Sequence, residues 1–297
     1  LSVVLADLGG TNLRLSMAGS PNGISHYKIS EHSSLDSVLK DFAPDISSLY
    51  LASAITPLNG IIEDKRFSDK SHWRINLPAL KCSFNLESLT VLNDLEAAAY
   101  GLGVLKEDQA IPLIPATVPQ VHFEAPPKLL IGVGTGIGHA FLFEKPGLPP
   151  FVQRTHGGHI PAFGMTKEQH DTIAQLQTKN GLGRDLIIEN IIGGHGLWML
   201  QDMVGKEKAL RLFWEFLGLY CNVIVSLTGA YGGVYLTGGI MDDMALDETF
   251  DAASFKNYFL RPMVPVVVES LSSTPVFVCH DVNLPILGLS FYHRARA

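Results

Sequence analysis

One pattern constrains the fold of this chain more than any other: an apolar strand, a glycine turn and an immediate second strand, met twice. Ser2-Val3-Val4-Leu5-Ala6 is a continuous apolar run that stops at Asp7. Gly9-Gly10 forces a tight turn, and Asn12–Met17 then alternates as a second strand. The cycle returns as the apolar run Leu129–Val133, the turn Gly134-Thr135-Gly136 and the strand Ile137–Phe143. The first cycle continues with a strand over Ile24–Ile29, a helix over Leu35–Phe42 behind Ser33 or Ser34, and a strand over Leu49–Ala54. A strand over Leu89–Leu92 then runs into Asn93-Asp94 and a helix over Leu95–Leu102. After the second cycle, helices are expected over Lys167–Thr178, Gly183–Asn190, Gly196–Val204, Lys206–Leu227 and Phe255–Phe259. Strands are expected over Val234–Thr237 and Pro275–Cys279, and an amphipathic segment over Pro285–Arg294. The proline-containing stretch Ile111–Pro127 reads as a lobe boundary or excursion. The repetition is one of pattern rather than of sequence.

With 297 residues, 46% of them hydrophobic and 17% charged, the chain can build one large domain or two medium lobes around packed cores. A net charge of −7 makes nucleic acid and anionic membrane surfaces poor partners. A polyanion such as ATP would need local contacts from backbone N–H groups, helix N-termini and a divalent cation. Cys82, Cys221 and Cys279 are odd in number and widely spaced, which indicates reduced, mostly buried thiols rather than a disulfide framework or zinc knuckle. No run is expected to reach the roughly 18 apolar residues of a membrane span, and the reading is of a soluble cytoplasmic protein. The chain begins at Leu1 rather than Met, which leaves room for a short leader or tag ahead of it.

Five motifs carry chemistry. In Asp7-Leu8-Gly9-Gly10-Thr11-Asn12, glycine lets the backbone approach a phosphate, the Thr11 hydroxyl can donate, and Asp7 can hold Mg²⁺ directly or through water. A plain hairpin has the same signature. Gly132-Val133-Gly134-Thr135-Gly136-Ile137-Gly138 is followed by a strand rather than a helix and by no Gly-Lys-Ser/Thr, so a phosphate-binding hairpin fits better than a dinucleotide fold or a P-loop. Asn93-Asp94 places a carboxylate at a strand-to-helix junction, where it can accept a hydroxyl proton or simply cap the helix. His156-Gly157-Gly158-His159, with Glu189 further on, can line a sugar pocket. The two histidines also allow a metal, although no third ligand lies at a convincing spacing. Thr237-Gly238-Gly239-Ile240 leaves room for a flat ring such as adenine, or is an ordinary strand-to-helix turn. Two lobes, each with a phosphate-facing turn, would grip a nucleotide between them.

In this order the segments resemble the bacterial-type glucokinase family, within the actin, hexokinase and Hsp70 ATPase superfamily, over nearly the whole chain. The anchors are Asp7–Arg14, Leu92-Asn93-Asp94, Gly134–Gly138, Gly157-Gly158-His159, Glu189 ahead of Gly193-Gly194-His195-Gly196-Leu197, Tyr231-Gly232-Gly233-Val234, Thr237–Ile240, and His280-Asp281 with Asn283 before Pro285. The resemblance implies a two-lobed α/β fold of the actin-like ATPase (ribonuclease H-like) type with an interlobe active-site cleft. Residues 1–104 with 284–297 would form the small lobe and 105–283 the large one. It implies phosphate transfer from ATP, with Mg²⁺, to the 6-hydroxyl of glucose. Asp94 would be the general base, and Asn93, His159 and Glu189 sugar ligands beside His156. Ala6, Asp7, Leu8, Gly9, Gly10 and Thr11, with Gly134, Thr135, Gly136, Gly238 and Gly239, would bind ATP. The sole support for a homodimer is that many members of the family dimerise.

Two departures separate the chain from that pattern. The family usually presents Glu-Gly-Gly-His, and here the first position is His156; an imidazole offers one donor and one acceptor where a carboxylate offers two acceptor oxygens. Phe67-Ser68-Asp69-Lys70-Ser71-His72-Trp73 lacks the family's Asn-His-x-Trp wording but keeps Trp73. These leave open a kinase for another hexose or an amino sugar, and a catalytically weak sugar-binding protein on the same fold.

Overall fold

The computed structural model describes residues 2–63, 73–119, 125–181, 186–261, 264–280 and 283–296. The chain divides into two compact units, one of residues Leu1–Leu105, Gly147–Val152 and Asn283–Ala297, the other of Lys106–Pro146 and Gln153–Val282.

In unit 1, β1 (Ser2–Leu8), β2 (Asn12–Met17) and β3 (Ser20–Lys28) meander, and α1 (Leu35–Phe42) leads to β4 (Ile46–Ser53). A short ribbon, β5 (Ile61–Ile62) with β6 (Ile75–Asn76), precedes α2 (Leu77–Ser83), β7 (Ser88–Asn93) and α3 (Asp94–Gly101). The five-stranded sheet has the order β3-β2-β1-β4-β7. Its meander is antiparallel, while β1, β4 and β7 run parallel. Val4–Leu8 are all buried, as a central strand covered on both faces requires. Ser34 caps α1 through a reciprocal capping box with Ser37.

Unit 2 opens with β8 (Ile111–Ile114) and continues through β9 (Lys128–Val133), β10 (Ile137–Phe143) and the part of β11 (Phe151–Thr155) from Gln153 onward. Helices α4 (Lys167–Asn180), α5 (Glu189–Ile192), α6 (Gly194–Val204) and α7 (Lys206–Thr228) follow. Then come β12 (Val234–Thr237), α8 (Gly239–Leu246), α9 (Ala252–Phe259), α10 (Pro265–Ser272) and β13 (Val276–Val278). The sheet order is β11-β10-β9-β12-β13-β8. Here too an antiparallel pair, β9–β10, adjoins a parallel run, β9-β12-β13. The chain ends in α11 (Leu284–Arg294), which packs on α3 in unit 1.

Several expectations shift. Ile111–Ile114, read as part of an excursion, is the antiparallel edge strand of the second sheet, a place that tolerates Pro112. The helix expected over Gly183–Asn190 is helical in its described part only from Glu189, where α5 starts; Ile187 instead bridges Pro161. Helices α2 and α10 and strand β11 are additions to the expected elements, while α8 follows β12 as the strand-to-helix reading of Thr237–Ile240 has it. Helix α7 is long and apolar enough to cross a membrane by length and composition, against the expectation for any segment. Its Phe213, Trp214, Phe216, Leu217 and Tyr220 are fully buried in the core of unit 2, which accounts for that apolarity. Cys221 and Cys279 are buried, and Cys82 is exposed.

Candidate active site

In unit 1 the first turn follows from strand register. Asp7 lies directly opposite Arg14 in the β1–β2 ladder, so both side chains share a face, and Arg14 Nη1 donates to Asp7 Oδ2 at 2.9 Å. Asp7 is 4% exposed. Burial raises its pKa above the ordinary aspartate value; Arg14 opposes that shift, and the nearby Asp94 charge adds to it. The turn closes through Gly9 N–H donating to Asn12 O at 2.9 Å. Gly10 is exposed, with open space where a side chain would stand. Thr11 Oγ1 accepts from Asn12 Nδ2 at 3.0 Å, and its hydroxyl proton remains to be donated.

Two parallel strands away, β7 ends at Asn93, opposite Ser53 of β4. Asn93 is the N-cap of α3: its Oδ1 accepts from Glu96 N–H at 3.4 Å, while Nδ2 donates to Ser53 O at 3.5 Å. Asp94 is the first helical residue and its Oδ1 accepts from Leu95 N–H at 2.8 Å. A carboxylate in the first turn is favoured by the helix dipole. Burial is the larger cause of the rise at Asp7, and the Asp94 charge adds to it.

In unit 2 three glycine corners converge. Gly134 N–H donates to Gly136 O at 2.9 Å, and Gly194 N–H donates to Gly134 O at 2.8 Å. The open end of α6 therefore abuts the Gly134–Gly136 turn. Gly238 sits at φ +108°, and a Cβ there would stand 2.5 Å from Val133 O. A Cβ on Gly194 would lie 3.5 Å from Ile240 Cδ1, so the start of α8 adjoins the start of α6. Gly239 faces open space. Two helix N-termini beside a glycine turn suit phosphate oxygens. In the sequence, Gly193-Gly194 stands only as an anchor of the family resemblance; the signal for its place here is an adjacent glycine pair ahead of an apolar helix.

Glu189 begins α5 and does two things. Its Oε2 accepts from Ile137 N–H at 3.1 Å, clamping the Gly134–Gly136 turn, and lies 4.0 Å from His159 Nε2. A side chain on Gly136 would overlap this carboxylate. His156 and His159 are exposed, with rings stacked 5.8 Å apart and 8° from parallel. Gly157–His159 form one 3-10 turn, closed by His159 N–H donating to His156 O at 2.9 Å. Among the described residues no three His, Cys, Asp or Glu side chains gather to hold a metal ion. His280 Nδ1 lies 3.2 Å from Asp242 Oδ1 on α8; Asp281 and residues 67–72 lie outside the described residues, while Trp73 Nε1 donates to His32 O at 3.0 Å.

A buried histidine lies outside the motifs legible in the sequence. His139 points inward from β10, 3% exposed, and burial lowers its pKa to about 4. The signal was a histidine in the inward register of an apolar strand, a position that demands partners.

Two sheets of this order, with glycine corners and a carboxylate at a strand-to-helix junction, define a two-lobed α/β protein of the actin-like ATPase fold, the class that includes sugar kinases. The glucokinase family model matches residues 4–208 and 201–296, and the chain belongs to that family. The glucokinase of Photorhabdus laumondii is 27% identical over 98% of this chain and 96% of its own. Among solved structures, a glucokinase from an Antarctic psychrotroph superposes with a TM-score of 0.81 at 20% identity, over 99% of both chains. A glucokinase from Balamuthia mandrillaris, solved in complex with glucose, superposes with a TM-score of 0.75 at 21% identity, over 99% of this chain and 93% of its own. Family membership makes this chain a sugar kinase.

Proposed function

We propose that the chain transfers the γ-phosphoryl group of ATP to the 6-hydroxyl of glucose, with Asp94 as general base. The observation that carries this reading is Asp94 itself. It stands at the β7–α3 junction, two parallel strands from β1, with one carboxylate oxygen held by Leu95 N–H.

The sugar is held by Asn93, His156, His159 and Glu189, and its 6-hydroxyl donates to Asp94. Asp94 takes that proton as the oxygen attacks phosphorus in line. Thr11, the Gly9-Gly10 turn of Ala6–Thr11 and the Gly134–Gly136 turn donate to phosphate oxygens. The starts of α6 and α8 add the positive ends of their dipoles. Gly238 lets the corner pack against β9, and Gly239, with open space where a side chain would stand, leaves room for adenine. Asp7 suits Mg²⁺ through water by its chemistry: it is a hard carboxylate donor at the end of β1, beside the Gly9-Gly10 turn. When bound there, Mg²⁺ supplies charge neutralisation at the β- and γ-phosphates.

A second acceptor class is favoured by one observation. The position before Gly157-Gly158 holds a histidine stacked flat on His159 rather than a carboxylate. A ring pair grips a sugar diol less firmly than a carboxylate does, which favours another hexose or an amino sugar. The deciding measurement is ADP release with ATP and Mg²⁺ over a panel of glucose, mannose, fructose, glucosamine and the N-acetylhexosamines. Highest kcat/KM on glucose supports the main reading, and highest kcat/KM elsewhere the second. Sugar-dependent thermal stabilisation with no ADP formed would sink both in favour of a binding protein.

A further inference from the structure

Beneath the His156–His159 loop lies a chain of side chains that no proposed catalytic step uses. His139 Nδ1 is 2.7 Å from the Tyr220 hydroxyl, and its Nε2 bonds to Thr155 Oγ1. Thr155 Oγ1 also accepts from Gly157 N–H at 3.2 Å. Tyr220 is fully buried in the middle of α7, and the His139 ring also meets Phe141 edge-on at 5.2 Å. A neutral imidazole has one donor and one acceptor, and both are committed here. The backbone of the loop is thereby tied to the core helix of unit 2 through three side chains. Packing reinforces the tie: any side chain on Gly157 would overlap the His139 ring, and any on Gly158 would overlap Ile137 O. The loop so held presents His156 and His159 to one side, with His159 Nε2 4.0 Å from Glu189 Oε2.

We propose that His139, Thr155 and Tyr220 are positioning residues for the sugar acceptor: they fix the Thr155–His159 loop in its sugar-binding shape without touching sugar or nucleotide. The inference rests on reading that loop as the sugar site. It predicts a split in the kinetics, because none of the relay's hydrogen bonds reaches the Gly134–Gly136 turn or the Gly238-Gly239 corner. Buried hydrogen bonds lost from a positioning network shift binding by about tenfold.

The test uses the full chain, with ATP, Mg²⁺ and the sugar that wild type phosphorylates best. Thr155→Val and Tyr220→Phe keep side-chain shape and remove one link each. Both are expected to raise the sugar KM about tenfold while KM for ATP stays within about twofold. His139→Gln, which keeps a polar atom near Nε2, should stay nearer wild type in sugar KM than His139→Leu. Should His139→Leu not fold, the Thr155 and Tyr220 variants decide alone. A sugar KM unchanged in either of them, or KM values for sugar and ATP that rise together, overturns the inference. A wild-type chain that phosphorylates no sugar in the panel overturns the proposed function first, and this inference with it. The two failures are told apart by whether wild type turns over.

Discussion

At the scale of single residues, two buried titratable groups make opposite demands. Asp7 has its pKa raised above the ordinary 3.8, so the folded state binds its proton more tightly than the unfolded chain does. Stability from this group is greatest at low pH and is lost as pH rises from 3.8 through the folded value. Asp7→Asn removes that slope, which urea titrations of both proteins across acidic pH would show. His139 runs the other way, with its pKa lowered to about 4 from 6.5. Its neutral form contributes fully above pH 6.5, and the contribution is lost as pH falls toward about 4. The loss is expected to be about 2–4 kcal/mol, and it should be absent from the same titration of His139→Phe. Asp94→Ala is expected to lower kcat by about 10²–10⁴-fold while ATP binding by calorimetry stays near wild type. Wild-type-like turnover in that variant would remove Asp94 from its role.

Between elements, the contact that positions Asp94 is built from missing side chains. Helix α3 is rich in alanine, and Ala97–Gly101 are buried. Where α11 crosses it, a Cβ on Gly288 would overlap Ala97 O and come within 2.7 Å of Gly101 N. A Cβ on Gly101 would stand 2.6 Å from Leu284 O. No side chain fits between these backbones, so Gly288→Ala must push the helices apart. The expected cost is about 1–3 kcal/mol in urea unfolding. Because α3 begins at Asp94, kcat should fall in the same variant while KM for ATP does not. This crossing was half legible in the sequence. The alanine run and the amphipathic segment Pro285–Arg294 announced two helices, but nothing local said that they meet, since their residues lie far apart in the chain.

For the whole molecule, each unit carries its own sheet and its own hydrophobic cluster. A ligand that binds the folded chain alone should stabilise it by about 2.7 kcal/mol at a hundred times its Kd. Thermal scans with the preferred sugar, with ATP analogue and with both should therefore raise Tm; a sugar that raises it in wild type should raise it less in Thr155→Val at the same concentration. The repeated strand–turn–strand pattern was readable because it is local: apolar runs, glycine turns and a carboxylate at a strand end lie within a few residues of one another. Sequence alone thus determined both strand–turn–strand pairs, the Asp7 and Gly134–Gly136 turns and the Asn93-Asp94 junction. Tertiary structure alone decided the rest. It set Arg14 against Asp7 through ladder register, brought Gly193-Gly194 and Gly238 to the same corner as Gly134, and turned Glu189 back to Ile137 N–H. It also made an edge strand of Ile111–Ile114 and joined His139 to Tyr220, 81 residues later. These depend on pairing between distant segments, where burial of polar groups selects partners that no local pattern of apolar and polar residues encodes.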